Sequence, residues 1–157
     1  MQLWKQPYPS PSRMRRALFR LAAMCVMVGG AQAQDTGHSD LHVNVQGLLN
    51  SKGQVVANLF QEGADVFGKP HLKQTQAIGD RKAVLTFAHL ANGRYALIVF
   101  QDVNGNNDLD HNFLRLPAEP LGFSNGFELT LLSGMPNSKK LSFAVGPDSK
   151  TLDITVR

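Results

Sequence analysis

The chain has 157 residues, one cysteine and a formal net charge of +4 at neutral pH. This length suits one domain with one hydrophobic core, and a single cysteine excludes an intrachain disulfide. Five of the basic residues and none of the acidic ones precede residue 34, so the remainder has 11 basic and 12 acidic residues. The positive charge is therefore no argument for binding nucleic acid.

The first 33 residues predict an export signal. A basic start at residues 13–16 leads into an apolar run at residues 21–28, and Ala31-Gln32-Ala33 supplies a small-x-small cleavage site. The run is shorter than the roughly 20 residues of a membrane-spanning helix. We therefore expect cleavage after residue 33, a periplasmic or secreted mature protein, and no stable membrane insertion. Met14 is an alternative start, and a retained amphipathic helix is the alternative to cleavage.

After a polar lead-in of residues 34–39, which we expect to be disordered, apolar residues recur at every second position. No segment keeps the 3.6-residue period of an amphipathic helix. The pattern predicts an all-β domain at residues 40–157, a single antiparallel β-sandwich of about seven strands. The segments that read as strands are residues 41–46, 54–61, 75–78, 83–90, 94–101, 127–132, 140–145 and 151–156.

Two local patterns refine this expectation. A turn signal at residues 50–53 predicts that the first two strands form a hairpin, and residues 94–101 are apolar on both faces, as in a central strand. Tyr95 follows the turn at Asn92-Gly93 and heads that strand, which is the arrangement of a tyrosine corner, whose hydroxyl bonds the backbone upstream. An ordinary half-buried tyrosine is the alternative.

A run of oxygen-bearing side chains follows the central strand and is the strongest chemical signal in the chain. Calcium loops have this spacing because alternate residues turn their oxygens toward the ion. The candidate ligands are Asp102, Asn104, Asn106, Asp108 and Asp110.

This run departs from the standard calcium loop at two positions. Asn107 stands at the sixth position, where glycine is usual, and Phe113 stands at the twelfth, where a bidentate glutamate is usual. Glu119 could replace that glutamate only by folding back. The alternative is an Asx-rich turn without an ion, which explains Asn-Gly but not the crowding of three carboxylates. We expect weak calcium binding, on the order of 10⁻⁴ M.

Other candidate features carry weaker signals. Residues 122–126 match the nucleophile motif G-x-S-x-G, but a predicted strand follows them instead of a helix, so we expect a glycine-rich loop. The five histidines lack zinc spacing. An apolar group after the Asp/Asn run predicts either a partner surface or packing against the end of the sandwich. Its members are Phe113, Leu114, Leu116, Leu121 and Phe123.

Several segments together resemble the exported bacterial proteins of the domain of unknown function 2141. They are Tyr95-Ala96-Leu97, Gln101 to Asp110, Asn112-Phe113, Pro117, Glu119 and Gly122-Phe123-Ser124-Asn125. The resemblance spans about residues 41–156. It departs at Gln101, where that family often has histidine, and at Asn107, where it usually has glycine. It implies an envelope protein with an immunoglobulin-like or prealbumin-like sandwich, and it implies no activity. The Asp/Asn run also resembles calcium loops in B repeats of Gram-positive surface adhesins.

These expectations combine into a first functional hypothesis. The chain is an exported, non-enzymatic module whose Asp/Asn run binds calcium, and the ordered segment then contacts an envelope protein, peptide or glycan. Two alternatives remain open. One is an envelope hydrolase that uses Asp102, Asp110 or Glu119 as acid and base, or a metal-activated water. The other is a structural domain without a ligand.

Overall fold

The computed structural model describes residues 37–114, 116–130 and 132–157. The predicted signal peptide at residues 1–33 and the start of the lead-in lie outside these residues. The described part is all-β and contains no helix, so none of it is a helix that could cross a membrane. Its eight strands are β1 (His38–Gln46), β2 (Gln54–Gln61), β3 (Leu72–Ala77), β4 (Ala83–Ala91), β5 (Gly93–Asp102), β6 (Leu121–Phe123), β7 (Phe143–Val145) and β8 (Lys150–Thr155).

The strands form two sheets that share one core. The first sheet has the order β4-β1-β8, and the second has the order β3-β2-β5-β6, with β7 also paired to β5. Alternate residues of both sheets meet in the main hydrophobic cluster, for example Leu41 and Val43 from β1 against Val55 and Leu59 from β2. The predicted all-β, sandwich-like class is therefore confirmed.

Two predictions about strand pairing are wrong. β1 and β2 do not form a hairpin, because β1 pairs with β4 and β8 while β2 pairs with β3 and β5. The alternation that places Val43 and Val55 in the core identifies each segment as a strand, but it does not determine which strand pairs with it. β1 and β2 reach the same core from opposite sheets. The sandwich is also not wholly antiparallel, since β1 and β8 run in parallel. His38 and Ser39, from the predicted lead-in, belong to β1.

The predicted strand at residues 127–132 is also wrong. Asn125 and Gly126 have φ angles of 58° and 64°, so the chain turns away there, and residues 127–130 pair with no strand. Phe127 instead packs edge-to-face on Phe123, with ring centroids 5.3 Å apart. The strand in this region is β6, which pairs with β5. A Cβ on Gly122 of β6 would lie 2.6 Å from the Ile154 side chain, so this close approach requires glycine.

β5 lies inside the second sheet, and the prediction of a central strand is confirmed. Its residues from Tyr95 to Asp102 are all buried. One face, with Leu97 and Val99, packs into the main cluster, and the other, with Ala96 and Ile98, packs into a second cluster outside the sheet. This strand therefore joins both hydrophobic clusters.

The predicted tyrosine corner is confirmed. The Tyr95 hydroxyl donates a hydrogen bond to the Ala91 carbonyl oxygen at 2.9 Å, and the residue is 3% exposed. Burial raises the pKa of Tyr95. The bond fixes the turn between β4 and β5, so it ties the edge strand of one sheet to the central strand of the other.

We expect Tyr95→Phe to lower the free energy of unfolding by about 1 kcal/mol, because the turn loses one hydrogen bond while the ring remains. Urea unfolding of the parent and the variant measures the difference. Thr151→Val, which removes an exposed hydroxyl on β8, is the matched control and should change little. Equal stability of Tyr95→Phe and the parent would contradict a structural role for this bond.

Candidate calcium loop

The Asp/Asn loop, residues 102–110, begins at the last residue of β5. Antiparallel pairing places Asp102 opposite Gln54, the first residue of β2. Gly53 precedes β2 with a φ angle of 73°, and a Cβ there would collide with the Asp102 carbonyl oxygen. The start of the loop is therefore held against the neighbouring strand by the sheet itself.

Asp102 folds the loop around its own carboxylate. Its Oδ1 accepts the backbone N–H groups of Gly105 at 2.7 Å and Asn106 at 3.2 Å, and its Oδ2 accepts that of Asn107 at 2.9 Å. Gly105 and Asn107 have φ angles of 77° and 65°, which turn these N–H groups inward. The Gln54 side chain donates to Oδ2 as well, at 2.8 Å. Asp102 is fully buried and its acceptor positions are filled.

The electrostatics of Asp102 reflect two opposing effects. Burial acts most strongly and raises its pKa, but hydrogen bonds from the Gln54 side chain and from three backbone N–H groups together outweigh it. The net result is a pKa below the ordinary value of 3.8. Asp102 is therefore a carboxylate that stays charged in order to hold the loop.

Asn104, Asn106 and Asp110 form a second network beside Asp102. The Asp110 carboxylate accepts the Nδ2 groups of Asn104 at 2.6 Å and Asn106 at 3.1 Å. The Oδ1 atom of Asn104 accepts the N–H of Asn106, and that of Asn106 accepts the N–H of Asp108, which are Asx turns. Three of the five predicted ligands thus contact one another, and Asp102 organises the backbone between them.

Asp108 does not join this network. Its side chain is 86% exposed, and its carboxylate lies 3.5 Å from the Lys73 ammonium. Lys73 also donates to the Asn107 carbonyl oxygen at 2.8 Å, so it fastens the loop to β3. Asp108, the remaining predicted ligand, therefore faces outward, toward the Lys73 ammonium.

Glu119 and Gln54 complete the loop. Glu119 folds back, and its two carboxylate oxygens accept the N–H groups of Val103 at 3.1 Å and Asp110 at 3.3 Å. The sequence alone did not decide whether Glu119 folds back, because its spacing from Asp102 does not match the standard calcium loop. Gln54 donates to both Asp102 and the Asn107 side chain. Sequence reasoning missed Gln54, because its role depends on the pairing of β2 with β5 and the predicted pairing was different.

Gln101, at one position where the family pattern differs, has a structural role. It is fully buried, and its side chain accepts the N–H of Leu49 at 3.0 Å and donates to the carbonyl oxygen of Lys52 at 3.1 Å. These bonds tie the turn between β1 and β2 to β5. No signal in the sequence marks Gln101 as a buried anchor, since the residue type is usually exposed.

The remaining candidates separate clearly. Ser124 is buried; its hydroxyl accepts the N–H of Leu97 and donates to the Leu141 carbonyl oxygen at 2.6 Å, so it joins segments and is not placed as a nucleophile.

Of the apolar group, Phe123 and Leu121 pack into the second cluster. Its other members are exposed, at 92% for Phe113, 62% for Leu114 and 55% for Leu116. Packing against the sheet thus applies to Phe123 and Leu121, and a partner surface at the exposed members stays a prediction.

Within the described ranges, no group of three or more His, Cys, Asp or Glu residues is arranged to hold a metal ion. The carboxylates of the loop are instead engaged by N–H donors. Each Oδ1 atom of Asn104 and Asn106 accepts one such donor and has a second lone pair. The loop is thus a preformed set of hard oxygen atoms that is already hydrogen-bonded.

Comparison with known proteins identifies the family. A family model described as an uncharacterized protein conserved in bacteria, DUF2141, matches residues 43–153. The chain belongs to the DUF2141 family. The family expected from the sequence is therefore confirmed, and the match includes the whole Asp/Asn loop and Glu119. No curated protein and no solved structure matches the chain.

In this DUF2141 protein we expect Asp102→Ala to lower the free energy of unfolding by about 3 kcal/mol, because three backbone N–H groups lose a buried, charged acceptor. Urea unfolding in the presence of a chelator measures this loss. Asp108→Ala is the matched control and should change stability by about 0.5 kcal/mol or less, since its ion pair is exposed. Equal losses for the two variants would show that Asp102 does not organise the loop.

The lowered pKa of Asp102 predicts a dependence of stability on pH. Its contribution is fully present above 3.8 and is lost as pH falls through the lower folded-state value. The stability difference between the parent and Asp102→Asn should therefore narrow on acidification below that value. Urea unfolding from neutral pH to about pH 2 measures it. Glu62 also has a lowered pKa, and its hydrogen bond with Arg94 is the largest cause. Because both proteins contain Glu62, its contribution cancels in the stability difference. A constant difference would contradict the prediction.

Proposed function

We propose that this DUF2141 protein is an exported, non-enzymatic binding or accessory module of the bacterial envelope, and that its Asp/Asn loop binds calcium. The observation that carries the proposal is the convergence of Asn104, Asn106 and Asp110 beside Asp102, with Glu119 folded back onto the same loop. Carboxylate and amide oxygens are the ligands that calcium prefers in proteins. The predicted export signal supports the location in the envelope.

The ligand set follows from these contacts. Asp102, Asn104, Asn106 and Asp110 would supply side-chain oxygens, and Glu119 would supply the carboxylate that Phe113 lacks at the twelfth position. Asp108, at the seventh position, would contribute its backbone carbonyl oxygen, as that position does in calcium loops. Its outward carboxylate fits this role, because the side chain is then free to pair with Lys73. Calcium would compete with the N–H donors that now engage Asp102, Asp110 and Glu119, which favours weak affinity.

Calcium would stabilise the long segment between β5 and β6. The described residues between positions 103 and 120 belong to no strand, and the Asp/Asn loop is where this segment leaves the sheet. An ion bound there would stabilise the ordered form by mass action and would fix Phe113, Leu114 and Leu116 as an exposed apolar surface. We propose that an envelope protein, peptide or glycan contacts this surface.

A non-enzymatic role agrees with the state of the carboxylates. A general base needs a lone pair directed at its substrate and a pKa near the working pH. The lone pairs of Asp102 are taken by four hydrogen bonds, and its pKa is lowered. Glu119 likewise accepts two backbone N–H groups. These contacts suit residues that shape a loop.

We also propose that the two sheets form an immunoglobulin-like or prealbumin-like sandwich. The tyrosine corner formed by Tyr95 and Ala91 supports this, because the same bond recurs in immunoglobulin-like domains. The shared core between a three-stranded and a five-stranded sheet supports it as well.

Calorimetric titration of calcium into the chelator-treated protein tests the ion site. We expect saturable binding of one ion with a dissociation constant on the order of 10⁻⁴ M, and a higher melting temperature with calcium. Asp110→Asn should weaken binding by about tenfold or more, because it removes one ligand charge. Asp108→Asn is the matched control on the same loop, and its affinity should stay close to that of the parent. Magnesium should bind more weakly, since it demands a stricter octahedral geometry.

Two results would contradict the proposal. If millimolar calcium releases no heat and leaves the melting temperature unchanged, the loop is a ligand-free Asx turn. If Asp108→Asn weakens binding as much as Asp110→Asn does, the ion is held by general negative charge and not by the network around Asp110.

A further inference from the structure

A groove of about 810 Å³ lies on the outer face of the five-stranded sheet. Its floor is made by outward-facing side chains of β2 and β5, with Phe60, Ile98 and Phe100 among them. Its walls come from three segments that cross this face, with Phe67, Leu116 and Met135 among the lining residues. The groove is thus separate from the core between the sheets, and of the Asp/Asn loop it includes only Asp108 and Leu109.

The rim of the groove is apolar and open to solvent. Phe67, Leu116, Leu129 and Met135 line it and are exposed at 59%, 55%, 42% and 65%. A concentration of large exposed apolar side chains around a concave site is characteristic of ligand-binding and interaction sites. The free energy available from burying them against an apolar ligand is correspondingly large.

One polar atom in the floor is left without a partner. Asn58 lies on β2 between Val56 and Phe60 on the outward face, and it lines the groove. Its Oδ1 atom is buried, and no donor among the described residues lies within hydrogen-bond distance of it. Leaving such an acceptor unpaired is unfavourable. The terminal amide torsion is broad and roughly two-fold, so rotation about it can present this oxygen to a donor in the groove.

The charges around the groove balance. Lys73 and Asp108 both line it, and they pair with each other at 3.5 Å. The remaining polar lining includes His111, on the wall formed by the segment after the Asp/Asn loop. No charged side chain of the described residues belongs to the floor. The described residues that line the groove therefore offer no net charge to an ionic ligand.

We propose that this groove binds a neutral, largely apolar small molecule that carries one hydrogen-bond donor. The volume lies within the range of about 300–1,000 Å³ that is typical of small-molecule sites. The apolar floor and rim bury the body of the ligand, and its N–H or O–H group pairs with Asn58. The proposal does not require calcium, because the floor belongs to the sheet and its residues are fixed by strand pairing, whereas only the wall with His111 and Leu116 belongs to the segment that calcium would stabilise.

N-phenyl-1-naphthylamine is a suitable probe, since it is neutral and apolar, carries a single N–H and fluoresces in apolar surroundings. We expect one probe molecule per chain, bound saturably, in calcium and in chelator alike. The N-methylated analogue should bind about fivefold more weakly, the worth of one hydrogen bond. Asn58→Leu should fold and remove this difference, because it replaces the acceptor with a side chain of similar size.

Two matched variants locate the binding site. Met135→Glu places a charge on the rim and should weaken probe binding by about tenfold or more. Leu132→Glu makes the same change three residues earlier in the chain, at a side chain that is 98% exposed and does not line the groove, and it should leave binding unchanged. Both positions are on the surface, so neither variant should unfold the protein.

Three outcomes would overturn the proposal. Fluorescence that never saturates, or saturates with several probes per chain, would show general adsorption. Equal effects of Met135→Glu and Leu132→Glu would place the probe elsewhere. Equal affinity of the parent for the probe and its N-methylated analogue would remove Asn58 from the site. A failure of calcium titration alone would affect only the ion site, since the probe experiment is also run in chelator.

Discussion

The double-sided burial of β5 is the constraint from which the other features follow. Leu97 and Val99 complete the core between the sheets, while Ala96 and Ile98 anchor the second cluster on the outside of the same sheet. A strand buried on both faces must be covered on the side away from the core. The long segments after β5 and β6 provide this cover, and the groove remains where the cover is incomplete.

Asp102 marks the transition from this apolar strand to a polar loop. It is buried with the strand, but its carboxylate faces backbone N–H groups that have left the sheet. A buried carboxylate is stable only when such donors hydrogen-bond to it, and the donors need the positive φ angles of Gly105 and Asn107. The conformation of the loop and the charge state of Asp102 therefore depend on each other. The Asx turns beyond it extend the same principle of satisfying backbone N–H groups with side-chain oxygens.

The sequence was informative where one residue pattern has one local consequence. The Val- and Phe-rich run located the strand at 54–61, and the run that is apolar on both faces located the central strand at 94–101. The position of Tyr95 after a glycine turn identified the corner that it forms with Ala91. Pairing was not accessible in the same way, because Val43 and Val55 point into one core from two sheets and either arrangement satisfies the pattern. For the same reason, the sequence did not reveal the role of Gln54. Its contact with Asp102 exists because β2 lies beside β5, and no spacing along the chain encodes that.

The predicted strand at residues 127–132 failed for a related physical reason. Its alternating apolar residues are needed on the outer face of the sheet, where Phe127 packs on Phe123 and Leu129 lines the groove. Covering a sheet face and pairing with a strand edge both select alternating apolar residues, so the pattern cannot separate them. The positive φ angles at Asn125 and Gly126 distinguish the two, because they turn the chain away after β6. An extended segment that covers a face without pairing leaves some apolar surface unburied. The exposed rim of the groove is therefore a consequence of how this family member covers the outer face of its central strand.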